Sequence, residues 1–425
     1  MKKKRIWIVG HYTMPPEYEV RIKTLMWAKY LMKDGYDVTL ISASTLHNTD
    51  INLITGTEKY IFKQYDQYKF IHIKCSDYSG SGIKRVRNLL QFAYRFKKYA
   101  KEFGTLPDVI LAADIHCIDY KPIGEFAKKN HIKFIVDIRD LWPESIVEYL
   151  GYSKKNPVIK YLYHREKNMY QMADDIIFSM EGGKDYIVDQ GWQDDIDLSK
   201  VHHINNGIDL EEYEYNKNHF KIKDQDLEDT VFKVIYIGSV RKVNNLEIVL
   251  NVAAELKKQG YEKNKIKILI YGDGDQKKGL VDKAINRKID NIVFKKRVER
   301  KYIPFILSKG DLNLLHGDSQ TLGKYGLSLN KSFDYLASGR AILSDIMAKY
   351  DYVVDSGAGI KIQCNTNEIC NAILAFYRMP KKIYFDYCNK ALKTAKLYDY
   401  KILTNKLISI CERGGDCENT ISCSS

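Results

Sequence analysis

Two stretches in the second half of the chain place cationic and acidic groups beside turns suited to phosphate. Lys324 to Ser344 runs K-Y-G-L-S-L-N-K-S-F-D-Y-L-A-S-G-R-A-I-L-S. Within it, Asn330 to Ser338 is expected as a helix stopped by Gly339. Phe333, Leu336 and Ala337 supply its apolar face, and Asn330 or Ser328 its cap. A helix start carries free N–H groups and partial positive charge, so it suits an anion. Lys331 adds a cation there. Asp334 sits one turn further in, where a carboxylate can accept sugar hydroxyls. The plainer alternative is an ordinary capped helix with surface charges. The second stretch is Gly238-Ser239-Val240-Arg241-Lys242, after an expected strand and before an expected helix. Its small residues let a phosphate approach the backbone, while Arg241 and Lys242 offset charge. A basic strand-to-helix turn with no ligand is the alternative. Neither stretch carries a G-x-G-x-x-G fingerprint, which argues against a dehydrogenase.

The first half offers different chemistry. Asp137-Ile138-Arg139-Asp140-Leu141-Trp142-Pro143-Glu144-Ser145 follows an expected strand and holds acids, an arginine and an aromatic. Strand-end loops carry function more often than packing does, which makes Arg139, Asp140 and Glu144 candidates. An internal Arg–Asp pair that only shapes the loop explains the same residues. His116 follows the strand Asp108 to Ala112, where an imidazole can titrate near neutral pH; a structural histidine is the competing reading. From Ile83 to Lys101, seven basic residues, including Arg95, Lys97 and Lys98, interleave with apolar ones and no acid. That pattern fits a helix lying on an anionic membrane surface. A domain helix with a solvated basic face is the alternative.

These residues need a frame, and the hydrophobic pattern supplies one. Short β-branched runs alternate with stretches of helical period. Strands are expected at Ile6 to Gly10, Asp37 to Ser42, Phe70 to Ile73, Asp108 to Ala112, Lys133 to Asp137, Asp175 to Ser179 and Val201 to Ile204. A helix over Glu19 to Lys33 lies between the first two. After a polar stretch, Glu211 to Asp229, the series resumes. Strands follow at Phe232 to Gly238, Lys267 to Tyr271, Ile292 to Lys295, Leu312 to Leu315 and Ala341 to Ser344. This β-α-β order implies an α/β protein of two doubly wound, Rossmann-like domains facing across a cleft. The expected divisions are 1–208, 209–382, a helical segment 383–412 that crosses back to the first domain, and a frayed tail 413–425.

Composition fits this frame. The 425 residues are 45% hydrophobic and 28% charged, ordinary for globular domains of this number. No run approaches the ~18 apolar residues of a membrane span, and Ile6 to Gly10 is too short for a signal-peptide core. A cytoplasmic protein, peripheral on the inner membrane face, is expected. The eight cysteines form no C-x-x-C pair, so free thiols and no metal site are expected. The net charge of +13 favours anionic partners, but no nucleic-acid motif is present, so nucleic acid is not an expected partner.

The 324–344 stretch resembles the donor-binding segment of family 4 glycosyltransferases. It is most similar to a bacterial subgroup that builds capsules, exopolysaccharides and O-antigens, with the segment G-x-S-P-N-K-x-F-D/E-Y-x-A-x-G-K-P. Asp137 to Ser145 resembles the same subgroup's V-R-D-L-W-P-E-S. The likeness extends, with gaps, from Arg5 to about Cys411. It implies the GT-B fold and a retaining transfer of a sugar from a nucleotide-sugar, UDP-linked, to a lipid-linked or oligosaccharide acceptor without a metal or other cofactor. It assigns Arg241 and Lys331 to the diphosphate, Asp334 to the ribose, and His116 to orienting sugar or acceptor. Gly238, Ser239, Gly272, Arg297, Ser328 and Asn330 fall in its nucleotide-sugar-binding elements. His11 and Arg21 fall in the loop after the first strand. The family's first acid and one of its histidines are replaced by Gly326 and Ala113. A non-catalytic GT-B-like partner subunit and a sugar-nucleotide epimerase are therefore the alternatives.

Overall fold

The computed structural model describes residues 4–18, 23–47, 49–78, 80, 82–317 and 322–413. The chain divides into two compact units, Met1–Asn205 with Tyr400–Ser425, and Asn206–Asp399. The division falls at 205/206 instead of 208/209. The expected 383–412 segment is two helices. Lys381–Leu397 belongs to the second unit and Tyr400–Glu412 to the first. The break lies at Tyr398 and Asp399, which pair with Ile208 through a backbone bond and an isolated parallel bridge.

Among the described residues the first unit holds one eight-stranded sheet. Its strands are β1 (Arg5–Val9), β2 (Asp37–Ala43), β3 (Tyr60–Tyr65), β4 (Tyr68–Ile73), β5 (Val109–Ala113), β6 (Lys133–Ile138), β7 (Asp175–Phe178) and β8 (Val201–His203). They lie in the order β3-β4-β2-β1-β5-β6-β7-β8. All neighbours are parallel except β3, which pairs antiparallel with β4 from Tyr60↔Ile73 to Tyr65↔Tyr68. The strand interiors are apolar on both faces, as a helix-covered parallel sheet requires. Helix Lys23–Lys33 buries Leu25, Met26, Trp27 and Leu31 in the same core as Tyr400, Leu403 and Leu407.

The second unit holds β9 (Phe232–Ile237), β10 (Ile266–Tyr271), β11 (Ile292–Lys295), β12 (Leu312–Leu315), β13 (Ala341–Ser344) and β14 (Gly359–Lys361). Their order is β11-β10-β9-β12-β13-β14, every pair parallel. The polar stretch expected as a linker contains helices Leu210–His219 and Gln225–Glu228, capped by Asp209 and Asp224.

Each sheet reverses its winding once, between β1 and β5 and between β9 and β12. In open α/β sheets, ligands bind beyond the carboxyl ends of the strands at that reversal. The loops after β1, β5, β9 and β12 are therefore where each unit offers its chemistry. Among the described residues no helix is long and apolar enough to cross a membrane.

Candidate functional site

In the second unit the turns after β9 and β10 are laced together. Gly238 N–H donates to the Tyr271 carbonyl at 3.0 Å, Val240 N–H to Asp273 at 2.8 Å, and Gln276 N–H to Val240 at 3.1 Å. A Cβ on Gly272 would lie 1.8 Å from the Gly238 carbonyl oxygen, and one on Gly274 2.3 Å from that of Val240. These glycines thus serve the close approach of two turns, and Gly272 is itself buried. Ser239 is exposed. Its carbonyl and hydroxyl accept from Asn244 Nδ2 at 2.8 and 2.7 Å, and its carbonyl also accepts from Tyr236 at 3.1 Å. Arg241 follows on this braced turn, with its side chain exposed.

Helix Asn330–Ala337 starts beside that turn. Its first turn has no side-chain cap: Leu329 holds the cap position, Asn330 is exposed, and Ser328 Oγ is buried without a hydrogen-bond partner. The expected capping by Asn330 or Ser328 is thus not made, because the residue between them occupies the capping position. The Lys331 ammonium is enclosed, donating to the His316 carbonyl at 2.5 Å and lying 4.8 Å from the Tyr236 ring centroid. Burial lowers its pKa to about 8, with Asp345 opposing the shift. Lys331 therefore joins β9, through Tyr236, to the loop after β12, at the reversal of the sheet.

Asp334 is buried one turn on, 3.8 Å from the Arg300 guanidinium. Burial raises its carboxyl pKa and Arg300 counters it. The buried Tyr213 hydroxyl has no hydrogen-bond partner; burial, reinforced by the Asp334 charge, holds that phenol protonated. Arg297 is exposed beyond β11. Sequence reasoning passed over His316 and Asp345, which hydrogen-bond Nδ1 to Oδ2 in full burial. Each directly follows a buried four-residue strand, the same strand-end position that singled out the loop after β6.

The first unit gathers rings at its own reversal. His11, just past β1, hydrogen-bonds through Nε2 to Asn88 Oδ1, and burial lowers its pKa to about 3. The neutral ring must therefore donate from Nε2, which leaves Nδ1 buried without a hydrogen-bond partner. Tyr12 lies 4.4 Å from His11, 4.4 Å from His47 and 5.5 Å from His116 between ring centroids, and accepts from Arg85 Nε at 2.7 Å. His116 is also 5.4 Å from Trp142. Its loop is fixed by Asp119, which accepts the His116 N–H at 2.9 Å, and by Arg165, which donates to the Cys117 and Ile118 carbonyls.

The residues of the loop after β6 do not act as a set. Arg139 pairs with Asp137 at 2.8 Å and donates to Thr24 Oγ1 at 2.6 Å. Asp137 also takes Lys23 at 3.2 Å. Asp140 is exposed. Glu144 turns inward and accepts from Lys154 at 2.9 Å, Tyr163 at 2.5 Å and Gln190 at 3.3 Å. Arg21 lies outside the described residues. On helix Ile83–Tyr99, Arg95 donates to the Lys74 carbonyl and Lys97 pairs with Glu125 at 2.5 Å, while Lys98 is exposed. A pocket of about 910 Å³ opens at the opposite, amino end of β6 and β7, away from these rings. Its Lys133 and its Asp175 satisfy each other at 2.8 Å.

Both units match known domain families. Residues 24–212 match the model described as Glycosyltransferase Family 4, and residues 217–329 that described as Glycosyl transferases group 1. The chain is a family 4-like glycosyltransferase of the GT-B type. Solved structures agree on the fold of this glycosyltransferase. The sucrose-phosphate synthase of Thermosynechococcus elongatus aligns with a TM-score of 0.68 at 13% identity, over 96% of this chain and 98% of that one. The E. coli trehalose-6-phosphate protein bound with UDP-2-fluoro glucose gives 0.71 at 12%, over 96% and 99%. HepE of Anabaena in complex with UDP-glucose gives 0.61 at 11%, over 96% and 98%. No curated protein sequence matches the chain.

Proposed function

We propose that this glycosyltransferase moves a sugar from a UDP-linked donor, with retention, onto a lipid-linked or oligosaccharide precursor of a cell-surface polysaccharide. The observation that carries the donor half is Lys331. It is a partly buried cation held over Tyr236 at the sheet reversal, at an uncapped helix start. A charge held ready in a dry setting stabilises a departing diphosphate more than a solvated one would. Arg241 adds a second, solvent-exposed cation, and Asp334 accepts ribose hydroxyls. The anomeric carbon exchanges a diphosphate oxygen for an acceptor hydroxyl oxygen, and no metal takes part. Two solved relatives in fold carry UDP-sugars, which supports UDP as the nucleotide. In the first unit, the partly exposed rings of His47 and Trp142, held by buried Tyr12 and His116, are the ones that can meet an acceptor sugar.

The membrane face rests on a revised set of residues. Arg95 and Lys97 are engaged within the unit, but helix Ile83–Tyr99 leaves Ile83, Leu90 and Tyr94 exposed at 88%, 47% and 64%. Lys84 and Arg87 flank that apolar stripe. This favours an anionic bilayer, each basic residue adding ~1 kcal/mol. A Leu90→Glu/Tyr94→Glu variant is expected to stop floating with anionic vesicles; unchanged flotation removes the membrane from the proposal.

One observation favours the non-catalytic alternative. Gly326, where the family has its first acid, has φ +107°, so a glutamate there would be strained. A screen of UDP- and GDP-sugars for transfer and hydrolysis decides between the readings. Turnover that Asp334→Ala and Arg241→Ala each reduce supports transfer. UDP binding with no turnover on any donor supports the partner subunit. Release of an isomerised, still activated nucleotide-sugar supports the epimerase.

A further inference from the structure

Three adjacent parallel strands of the second unit each deliver one metal-type donor past their carboxyl ends. His316 directly follows β12, Asp345 directly follows β13, and Cys364 lies three residues beyond β14. The strands are in register, Leu315 opposite Ser344 and Ser344 opposite Lys361, so the three residues emerge side by side. An imidazole nitrogen, a carboxylate oxygen and the thiol sulfur all lie within 4.8 Å of one another. His316 and Asp345 are fully buried and Cys364 is half-buried, in no disulfide.

The hydrogen bonds mark one place in this trio for a positive species. His316 Nε2 faces the Asn245 carbonyl oxygen at 3.3 Å. A carbonyl only accepts, so Nε2 carries a hydrogen. The other ring nitrogen, Nδ1, faces Asp345 Oδ2, a carboxylate oxygen. With Nε2 protonated, a neutral imidazole presents a lone pair to that oxygen. Two buried lone pairs in contact need a positive species between them. A proton is one; a metal ion bound also by the adjacent sulfur is the other.

We infer that His316, Asp345 and Cys364 form a binding site for one thiophilic divalent cation of the Zn²⁺ class. Nitrogen, carboxylate and thiolate together suit zinc or cobalt, whereas the sulfur and the small ligand number disfavour calcium and magnesium. The ion takes the place of the proton between His316 and Asp345 and displaces the thiol proton of Cys364. Both protons pass to solvent, so uptake weakens as pH falls. Neither sugar transfer nor the choice of donor enters this inference.

The test uses the full chain, stripped of metal and titrated with Co²⁺. One equivalent is expected to produce a thiolate-to-cobalt charge-transfer band, which Zn²⁺ then removes by competition. Cys364→Ser is expected to abolish the band and weaken Zn²⁺ binding by at least about tenfold, since even outer-shell partners act on that scale. His316→Gln is expected to weaken binding likewise, with its far-UV circular dichroism checked for an intact fold. Absence of the band in the unmodified protein overturns the assignment. So does a band of full intensity in Cys364→Ser, which would place the ion on other cysteines.

Discussion

The carbonyl oxygen of Gly238 occupies the space that a Cβ on Gly272 would need, 1.8 Å from its ideal position. Neither a rotamer change nor a flexible side chain relieves that clash, because the obstructing atom is backbone. Gly272→Ala must push apart the turns after β9 and β10, and with them the bonds from Gly238 to Tyr271 and from Val240 to Asp273. Overpacking of this kind costs roughly 1–3 kcal/mol, and a rigid obstacle favours the upper end. Urea unfolding should show that loss, and calorimetry a weaker affinity for UDP. Gly279→Ala is the control. It lies in helix Lys277–Asn286 with nothing within 4 Å of the added Cβ. That substitution should be neutral or stabilise by about 0.5–1 kcal/mol through helix propensity.

Lys331 is the group whose removal should separate binding from transfer. Its ammonium is already partly desolvated, so an incoming diphosphate has less water to strip from it. Lys331→Ala is expected to lower kcat/KM for a UDP-sugar by about 10²–10³-fold, the scale for losing one pre-oriented donor. Lys331→Arg should not restore it. The guanidinium is larger, and the space between the His316 carbonyl and the Tyr236 ring is set for a compact ammonium. Lys278→Ala, on an exposed helical position, should leave kcat/KM unchanged.

How much of this was legible in the sequence depended on where each residue's partners lie. Ile292–Lys295, Leu312–Leu315 and Ala341–Ser344 are strands with the bounds expected, because short apolar runs between polar residues have one way to be buried. Tyr60–Tyr65 was not expected. It is an edge strand whose Phe62, Lys63 and Gln64 face solvent, so no burial pattern marks it. Gly359–Lys361 is too short to show a period. The 383–412 segment was expected to be helical, but the break between Leu397 and Tyr400 carries neither Gly nor Pro, so nothing local marked where one helix ends and the next begins. The site followed the same rule. His116 and Lys331 were found because strand ends and helix starts are local signals. That Glu144 would turn toward Tyr163 and Gln190 was invisible, since those partners lie 19 and 46 residues away.

Glu166 should make stability fall as pH rises. It is buried, accepts from Tyr170 at 2.7 Å and Tyr186 at 2.6 Å, and burial raises its pKa to about 7 from 4.5. The folded state therefore holds this proton more tightly than the unfolded chain. Its contribution is complete below about pH 4.5 and is lost as pH passes through about 7. Asp119, likewise raised by burial to about 7, works in the same direction. Glu166→Gln keeps the shape and removes the charge. Between pH 5.5 and 8.5 it should flatten the fall in stability by about 2 kcal/mol, the part of the linkage that lies between pH 5.5 and the folded pKa. Denaturant midpoints at the two pH values, for the unmodified protein and the variant, measure this. Parallel slopes would mean that Glu166 does not titrate in that range.

Asp137 should prove structural, and costly to remove alone. It is fully buried and joins Lys23 at 3.2 Å to Arg139 at 2.8 Å. Lys23 also donates to Ser179 Oγ at 2.8 Å and to the Ile204 carbonyl at 3.0 Å, so its position is fixed even without the acid. Burial already lowers the Lys23 pKa to about 8 against the pull of Asp137. Asp137→Ala leaves that ammonium unpaired in the core, and breaking such a pair costs about 3–5 kcal/mol. Adding Lys23→Met removes the stranded charge while filling similar volume, so the double variant should recover most of the loss. Arg139 keeps Thr24 as a partner, but its side chain is only 13% exposed and loses the same carboxylate, so some of the cost remains in the double variant. Denaturant unfolding of both single variants and the double gives the coupling directly. A double variant less stable than Asp137→Ala would show that Lys23 supports this core through its contacts with Ser179 and Ile204 more than through its charge.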